Sequence, residues 1–205
     1  MRMVFESAIT IVLAYLMGAF PTAYLLGRYL KGTDIRRSGS RNPGALNAYR
    51  QLGKAAGLLV LVMDTAKGAL AIFIGQRLGA GEVALYVAAL SAILGHNLSP
   101  FLGFRGGKGA ATVLGISALM LWQITAVTVA VGGVLFALTR HAVWSLTGVF
   151  LLLNILTIAT AQPLGVILLC LVLSSIVAGT HLFRQYPELV SAIRQRQWRR
   201  FMTIE

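Results

Sequence analysis

The chain is poor in acidic residues, in cysteine and in histidine, and these shortages exclude several kinds of site. It has six Asp and Glu residues, one cysteine and three histidines among 205 residues. One cysteine, Cys170, cannot support a disulfide framework. The sequence also has neither an HExxH pattern nor a Cys/His cluster, so we expect no zinc site. We therefore predict that the protein uses no metal and no cofactor.

Charged residues as a whole are scarce, at 12%, whereas 57% of the residues are apolar. The mean hydropathy is +0.78, which is far outside the range of soluble proteins and typical of integral membrane proteins. We expect an all-α polytopic membrane protein that forms one integral membrane domain over 1–205, with a basic cytoplasmic tail at 184–205. The apolar runs cover 4–27, 57–76, 83–98, 110–138, 142–161 and 163–183.

The run 110–138 decides how many times the chain crosses the membrane. It is too long for one ordinary span, and Gln123 and the pair Gly132-Gly133 interrupt it, so two short helices are expected. Seven transmembrane helices then place 15 of the 18 Lys and Arg residues on one side. Because cytoplasmic loops carry the excess of positive charge, we predict an N-terminus outside and a C-terminus in the cytoplasm. The net charge of +12 thus reflects topology, and no nucleic acid partner is expected.

A glycine-rich basic loop at 104–112, Phe-Arg-Gly-Gly-Lys-Gly-Ala-Ala-Thr, lies between two apolar runs. Glycines allow successive backbone N–H groups to converge on an anion, and the start of the following helix adds its positive end. Lys108 adds a charge and Thr112 a hydroxyl. The loop favours phosphate binding, although a surface turn with basic residues is the alternative. The glycine spacing does not match a Walker motif, and the chain has no GxSxG elbow, so neither an ATPase nor an ordinary serine hydrolase is expected.

A second polar loop, at 39–50, carries uncharged hydrogen-bonding side chains and two arginines. Ser40, Asn42 and Asn47 provide the polar groups, while Arg41 and Arg50 can each form paired hydrogen bonds with phosphate oxygens. The alternative is a connector whose arginines only enforce topology. Because both polar loops fall on the same side of the membrane, a shared pocket is expected.

Ionisable residues inside or beside the apolar runs need a separate explanation. Asp64 and Lys67 are three residues apart, hence on one helical face, and burial of charge at membrane depth is costly unless it is paired or functional. We favour a structural ion pair over catalysis. His96 ends the third run, where it either contacts a phosphate or caps and packs the helix end.

The segments 39–50, 64–68 and 95–112 resemble, in this order and spacing, the PlsY family of bacterial acyl-phosphate-dependent glycerol-3-phosphate acyltransferases. The resemblance covers about residues 10 to 160. It implies a seven-helix, multi-pass protein of the bacterial cytoplasmic (inner) membrane with its active site facing the cytoplasm. The implied enzyme moves a fatty acyl group from acyl phosphate to the 1-hydroxyl of glycerol 3-phosphate, giving lysophosphatidate and phosphate for phospholipid synthesis.

The resemblance also implies roles for the site residues. Catalytic roles fall to Ser40, Arg50 and Lys108, and the ion pair of Asp64 and Lys67 is structural. Substrate and phosphate binding are expected of Asn42, Asn47, His96, Gly106, Gly107, Gly109 and Thr112. The implied partners are the two substrates and membrane lipid, with the chain a monomer or a weak homo-oligomer.

The chain departs from the family pattern at positions that bear on the acceptor. The family has glycine at the position of Arg41 and threonine at that of Leu46, and Gln185 and Glu188 stand where its tail motif carries other residues. The alternatives are therefore a paralogue with the same donor and a different acceptor, or a small transporter or lipid-binding membrane protein without turnover. A transporter would show internal repeats and midplane charges, and no repeat is visible in the sequence.

Overall fold

The computed structural model describes residues 2–195, apart from the side chains of 2, 3, 187–189 and 192. Within this part, the chain forms nine α-helices joined by short loops. The helices are α1 (Arg2–Ala19), α2 (Thr22–Lys31), α3 (Ala45–Leu52), α4 (Lys54–Arg77), α5 (Glu82–Asn97), α6 (Ala110–Met120), α7 (Trp122–Thr139), α8 (Ala142–Ala159) and α9 (Leu164–Arg194). The predicted all-helical architecture is confirmed.

Six segments of the described chain are long and apolar enough to cross a membrane. They are Val4–Lys31, Lys54–Arg77, Glu82–Leu102, Trp122–Thr139, Ala142–Ala159 and Leu164–Tyr186. Helix α6 is apolar but has only eleven residues, about 16 Å at 1.5 Å per residue. A bilayer core is about 30 Å thick, so α6 is too short to count among them by length.

The long apolar run at 110–138 is divided as expected, but at a different point. Helix α6 ends where Leu121 leaves helical geometry, with φ −142° and ψ 50°. Helix α7 then continues through Gln123 and through Gly132-Gly133. Neither the glutamine nor the glycine pair breaks the helix. Glutamine is a good helix former, and the penalty for glycine, about 1 kcal/mol per residue, is small enough for tertiary packing to override.

The chain folds into two compact units, one running through Trp122 and the other starting at Gln123. In the first, α1 packs on α5 and α4 packs on α6. Glycines permit these close approaches: a Cβ on Gly95 would overlap the Tyr15 carbonyl, and one on Gly115 would overlap the Thr65 carbonyl. Small residues at helix crossings are the usual solution in membranes.

In the second unit, α8 and α9 are joined by a polar contact within their apolar surfaces. The Asn154 amide donates to the hydroxyl of Ser174 at 2.9 Å and to the Phe150 carbonyl at 2.7 Å. Helix α9 runs past the expected end of its span to Arg194. The last ten residues of the predicted basic tail lie outside the described residues, as does the side chain of Glu188.

Candidate active site

The loop before α3 is organised by one buried side chain, Asn47. Its amide nitrogen donates to the carbonyls of Ile35 and Ser38 at 3.1 and 3.0 Å. Its amide oxygen accepts from the backbone N–H of Ser40 at 3.2 Å. These contacts account for the polar atoms of Asn47, which therefore shapes the loop, while Ser40 and Arg50 are exposed beside it.

Arg36 connects the segment just before the polar loop at 39–50 with the loop that follows α5. Its guanidinium donates to the carboxylate of Asp34, with a shortest distance of 2.7 Å, and to the Leu102 carbonyl at 2.6 Å. The hydrogen bond from Arg36 holds the pKa of the Asp34 carboxyl below its usual value. The guanidinium also lies 5.1 Å from the ring centre of Tyr24. The two polar loops are thus adjacent, as their common side of the membrane predicts.

The glycine loop closes onto the end of α5. The N–H groups of Gly106 and Gly107 donate to the carbonyls of Asn97 and His96 at 3.0 and 2.9 Å. This differs from the expectation that these two N–H groups point at an anion. The C-terminal carbonyls of a helix lack partners within it, and those at the end of α5 are satisfied by the loop that returns over them.

The N–H groups that suit an anion come later, in the first turn of α6. Gly109 precedes this helix with φ 86°, a left-handed conformation that glycine adopts readily. The first N–H bonded within the helix is that of Val113, which donates to the Gly109 carbonyl at 2.9 Å. The N–H groups of the three preceding residues, including Thr112, have no helical acceptor. Lys108 is half-buried immediately before this turn.

Thr112 carries a second feature of an anion site. Its side chain is fully buried, and its hydroxyl has no hydrogen-bond partner within the described part of the chain. A buried hydroxyl without a partner costs about 1–3 kcal/mol. A ligand oxygen reaching this turn would remove that cost.

Three buried ionisable side chains lie close to one another beside the two loops. The Lys67 ammonium lies 2.9 Å from a carboxylate oxygen of Asp64, which in turn lies 4.0 Å from Nδ1 of His96. The ammonium also donates to the Phe20 carbonyl at 3.3 Å. All three side chains are at least nine-tenths buried, so they are shielded from substrate dissolved in water.

A small cavity lies among these groups. Its volume is about 10 Å³, close to the minimum for one water molecule. Thr22, whose buried hydroxyl has no partner among the described residues, lines it together with Ser99, which donates to the Ala19 carbonyl at 2.6 Å. Pro43 of the loop at 39–50 and Gly107 of the glycine loop also line it, so one cavity joins both loops to the ionisable cluster.

Comparison with known proteins decides the family. The family model described as glycerol-3-phosphate acyltransferase matches residues 8–186. The chain belongs to the glycerol-3-phosphate acyltransferase family.

Curated relatives and solved structures agree with this assignment. A glycerol-3-phosphate acyltransferase of Synechococcus sp. (strain JA-2-3B'a(2-13)) is 44% identical over 82% of this chain and 83% of its own length. A glycerol-3-phosphate acyltransferase 2 of Moorella thermoacetica is 55% identical over 52% of this chain and 55% of its own length. The crystal structure of PlsY (YgiH), an integral membrane glycerol 3-phosphate acyltransferase, in its glycerol 3-phosphate form, is 27% identical, with a TM-score of 0.81 over 93% of each chain.

In this member of the glycerol-3-phosphate acyltransferase family, sequence reasoning missed Asp34, Arg36, Thr22 and Ser99. Arg36 contacts Leu102, 66 residues away, and no local pattern predicts such a distant backbone partner. The short spacing of Asp34 and Arg36 was the available signal.

Of the residues that depart from the family pattern, Arg41 has a left-handed φ of 58°. A glycine, which the family resemblance implies at this position, adopts such a conformation more readily than arginine does.

Proposed function

We propose that this chain transfers a fatty acyl group from acyl phosphate to the 1-hydroxyl of glycerol 3-phosphate at the cytoplasmic face of the bacterial inner membrane. The chain is an integral membrane member of an acyltransferase family. The observation that carries the donor assignment is the first turn of α6, where N–H groups without helical acceptors, a buried hydroxyl without a partner and Lys108 occur together.

In the proposed reaction, the acceptor hydroxyl oxygen attacks the carbonyl carbon of the acyl phosphate. The new C–O bond forms the ester of lysophosphatidate, and the bond between that carbon and the phosphate oxygen breaks. Phosphate leaves with the bonding electrons. The proton of the acceptor hydroxyl passes to the acceptor's own phosphate group. No serine nucleophile is needed, because an acyl phosphate is already activated and catalysis depends on positioning and charge stabilisation.

The predicted residues divide between the two substrates. Lys108 and the turn from Gly109 to Thr112 hold the phosphate of the donor. Ser40 and Arg50 engage the phosphorylated substrates, with Asn42 and Asn47 holding their loop. Gly106, Gly107 and His96 serve the donor site by closing the glycine loop onto α5, which is consistent with the bonds of their backbone groups.

The test is phosphate release from a defined acyl phosphate by the purified protein in detergent, with and without glycerol 3-phosphate. We expect release that depends on the acceptor, together with stoichiometric lysophosphatidate. Acyl-phosphate hydrolysis that ignores glycerol 3-phosphate would reject the acceptor and favour the paralogue, for which Arg41 and Leu46 are the specific observations. Absence of donor binding would reject the reaction as a whole.

A further inference from the structure

We propose that His96 is a positioning residue. It packs against the glycine loop at Gly107 and so sets the position of Lys108 and the first turn of α6. This inference rests on the proposed function, because its consequence is measured on the donor. In this proposal His96 acts through Gly107 and does not contact the substrate.

The contact between His96 and Gly107 involves both backbone and side chain. The His96 carbonyl accepts the Gly107 N–H at 2.9 Å. A Cβ built on Gly107 would overlap Nε2 of the imidazole, with Cε1 at 2.8 Å and Cδ2 at 2.9 Å. Gly107 does not have a left-handed φ. Glycine is therefore required at position 107 by the lack of space for a side chain, not by the backbone conformation. The imidazole therefore occupies the space that a side chain at 107 would take.

The other edge of the imidazole faces the buried ion pair. Nδ1 lies 4.0 Å from the Asp64 carboxylate, which is paired with Lys67 at 2.9 Å. Lys67 is in turn bonded to the carbonyl of Phe20, just after α1. This series of contacts joins α1, α4 and α5 to the glycine loop.

The burial of these side chains shows that the series of contacts influences the substrate only indirectly. His96 is 6% exposed and Asp64 3%, whereas Lys108, only one residue beyond Gly107, is half-buried. A displacement of about 1 Å in a positioning element can change a rate by about a hundredfold. Fixing Gly107 is therefore sufficient to influence how Lys108 meets a phosphate.

The experiment is a double-mutant cycle between His96→Ala and Gly107→Ala, read as KM for acyl phosphate, kcat and thermal unfolding midpoint. Gly107→Ala alone is expected to raise KM about tenfold or more, because the added methyl displaces the imidazole and the loop. In the His96→Ala background the overlapping atoms are gone, so the double variant should be no worse than His96→Ala. Effects on two residues in contact are then strongly non-additive.

Gly106→Ala is the matched control. Its added Cβ would overlap the carbonyl oxygen of His96, which remains when the side chain is removed. Gly106→Ala should therefore be equally damaging with and without the imidazole. If His96→Ala does not fold, His96→Asn replaces it in the cycle, since asparagine lacks the two ring atoms nearest to Gly107.

The outcomes separate this proposal from the proposed function. Additive effects of His96→Ala and Gly107→Ala on KM would overturn the positioning role while acceptor-dependent turnover by the unmodified protein still stands. Coupling in the unfolding midpoint with no coupling in KM would also overturn it, because the contact would then be structural only. An unmodified protein without turnover rejects the proposed function, and the cycle is then read in affinity for inorganic phosphate, where additivity again overturns the positioning role.

Discussion

At the scale of single residues, Lys108 is the side chain on which the donor assignment depends most. It immediately precedes the turn of α6 that presents N–H groups without helical acceptors. We expect Lys108→Ala to lower acyl-phosphate turnover by about a hundredfold or more, the usual cost of removing one charge-stabilising donor. The measurement is initial phosphate release at saturating acceptor. Lys54→Ala is the control, since Lys54 is an exposed cation at the start of α4 and should leave turnover within about twofold.

Asp34 gives the second prediction at this scale. Its carboxylate is bonded to Arg36, and the pKa of Asp34 lies below its usual value because of that hydrogen bond. An acidic group with a lowered pKa stabilises the fold above its unfolded-state pKa of about 3.9, and this contribution is lost as the pH falls through the folded-state pKa. Asp34→Asn should therefore lower the thermal midpoint at pH 7, by a few degrees at most.

The pH dependence of that difference provides the check. The gap between the unmodified protein and Asp34→Asn should shrink as the pH falls below about 4 and through the folded-state pKa of Asp34, where the native carboxyl also becomes neutral. Arg37→Gln is the control, because Arg37 is exposed and is the smallest contributor to the lowered pKa of Asp34. A gap that is constant over this pH range would contradict the role of the ionised carboxylate.

The residue scale also shows what sequence patterns can predict at the site. Spacing on one helical face was enough to predict that Asp64 and Lys67 meet, since that geometry is local. The bond from Arg36 to Leu102 was not predictable, because it depends on how α1, α4 and α5 bring two loops together. For Gly106 and Gly107, the composition of the loop indicated anion binding, but the acceptors of their N–H groups lie on another element.

At the scale of elements, the crossing of α4 and α6 depends on a glycine. A Cβ on Gly115 would overlap the Thr65 carbonyl and lie 2.9 Å from the Ala69 nitrogen. Backbone atoms cannot rotate away, so Gly115→Ala must separate the helices. We expect it to lower the thermal midpoint and, by moving α6, to raise KM for acyl phosphate.

Gly133→Ala is the matched control for this crossing. Gly133 also lies inside an apolar helix, but nothing lies within 4 Å of a Cβ built there. Alanine is favoured over glycine in a helix interior by about 1 kcal/mol. The control should therefore match or exceed the unmodified protein in thermal midpoint, measured by loss of monodispersity on heating in detergent. Equal behaviour of the two variants would show that the α4–α6 contact is looser than described.

Apolar runs predict helices well because length and hydropathy together determine what can cross a bilayer. Three of the runs found in the sequence, 57–76, 83–98 and 142–161, coincide closely with α4, α5 and α8. The break at Leu121 was not predictable from Gln123 or from Gly132-Gly133, because α7 runs through all three residues, and Gly132 lies in close contact with Val149 of another helix. Helix breaks in a membrane depend on neighbouring helices, which a linear pattern does not contain.

At the scale of the whole molecule, the topology depends on whether α6 crosses the membrane. The description of the chain as a single integral membrane domain stays a prediction, as does its state as a monomer or weak homo-oligomer. Six described segments are long enough to span, and α6 is shorter than the bilayer core. With α6 as a seventh, short crossing, the basic loops fall on one side. We propose this arrangement, with the N-terminus outside and the C-terminus in the cytoplasm.

The chain has one cysteine, so a Cys170→Ala background allows each crossing to be tested with single cysteines labelled from one side of a sealed membrane. Arg105→Cys precedes α6 and Arg140→Cys follows α7, and both positions are exposed. Seven crossings place them on the same side, and both should react from the cytoplasm only, in line with the charge bias of membrane loops. If α6 does not cross, the two positions lie on opposite sides. Ala80→Cys, between α4 and α5, controls for leakage and should react only from outside, so opposite labelling of 105 and 140 with a clean control would require six crossings.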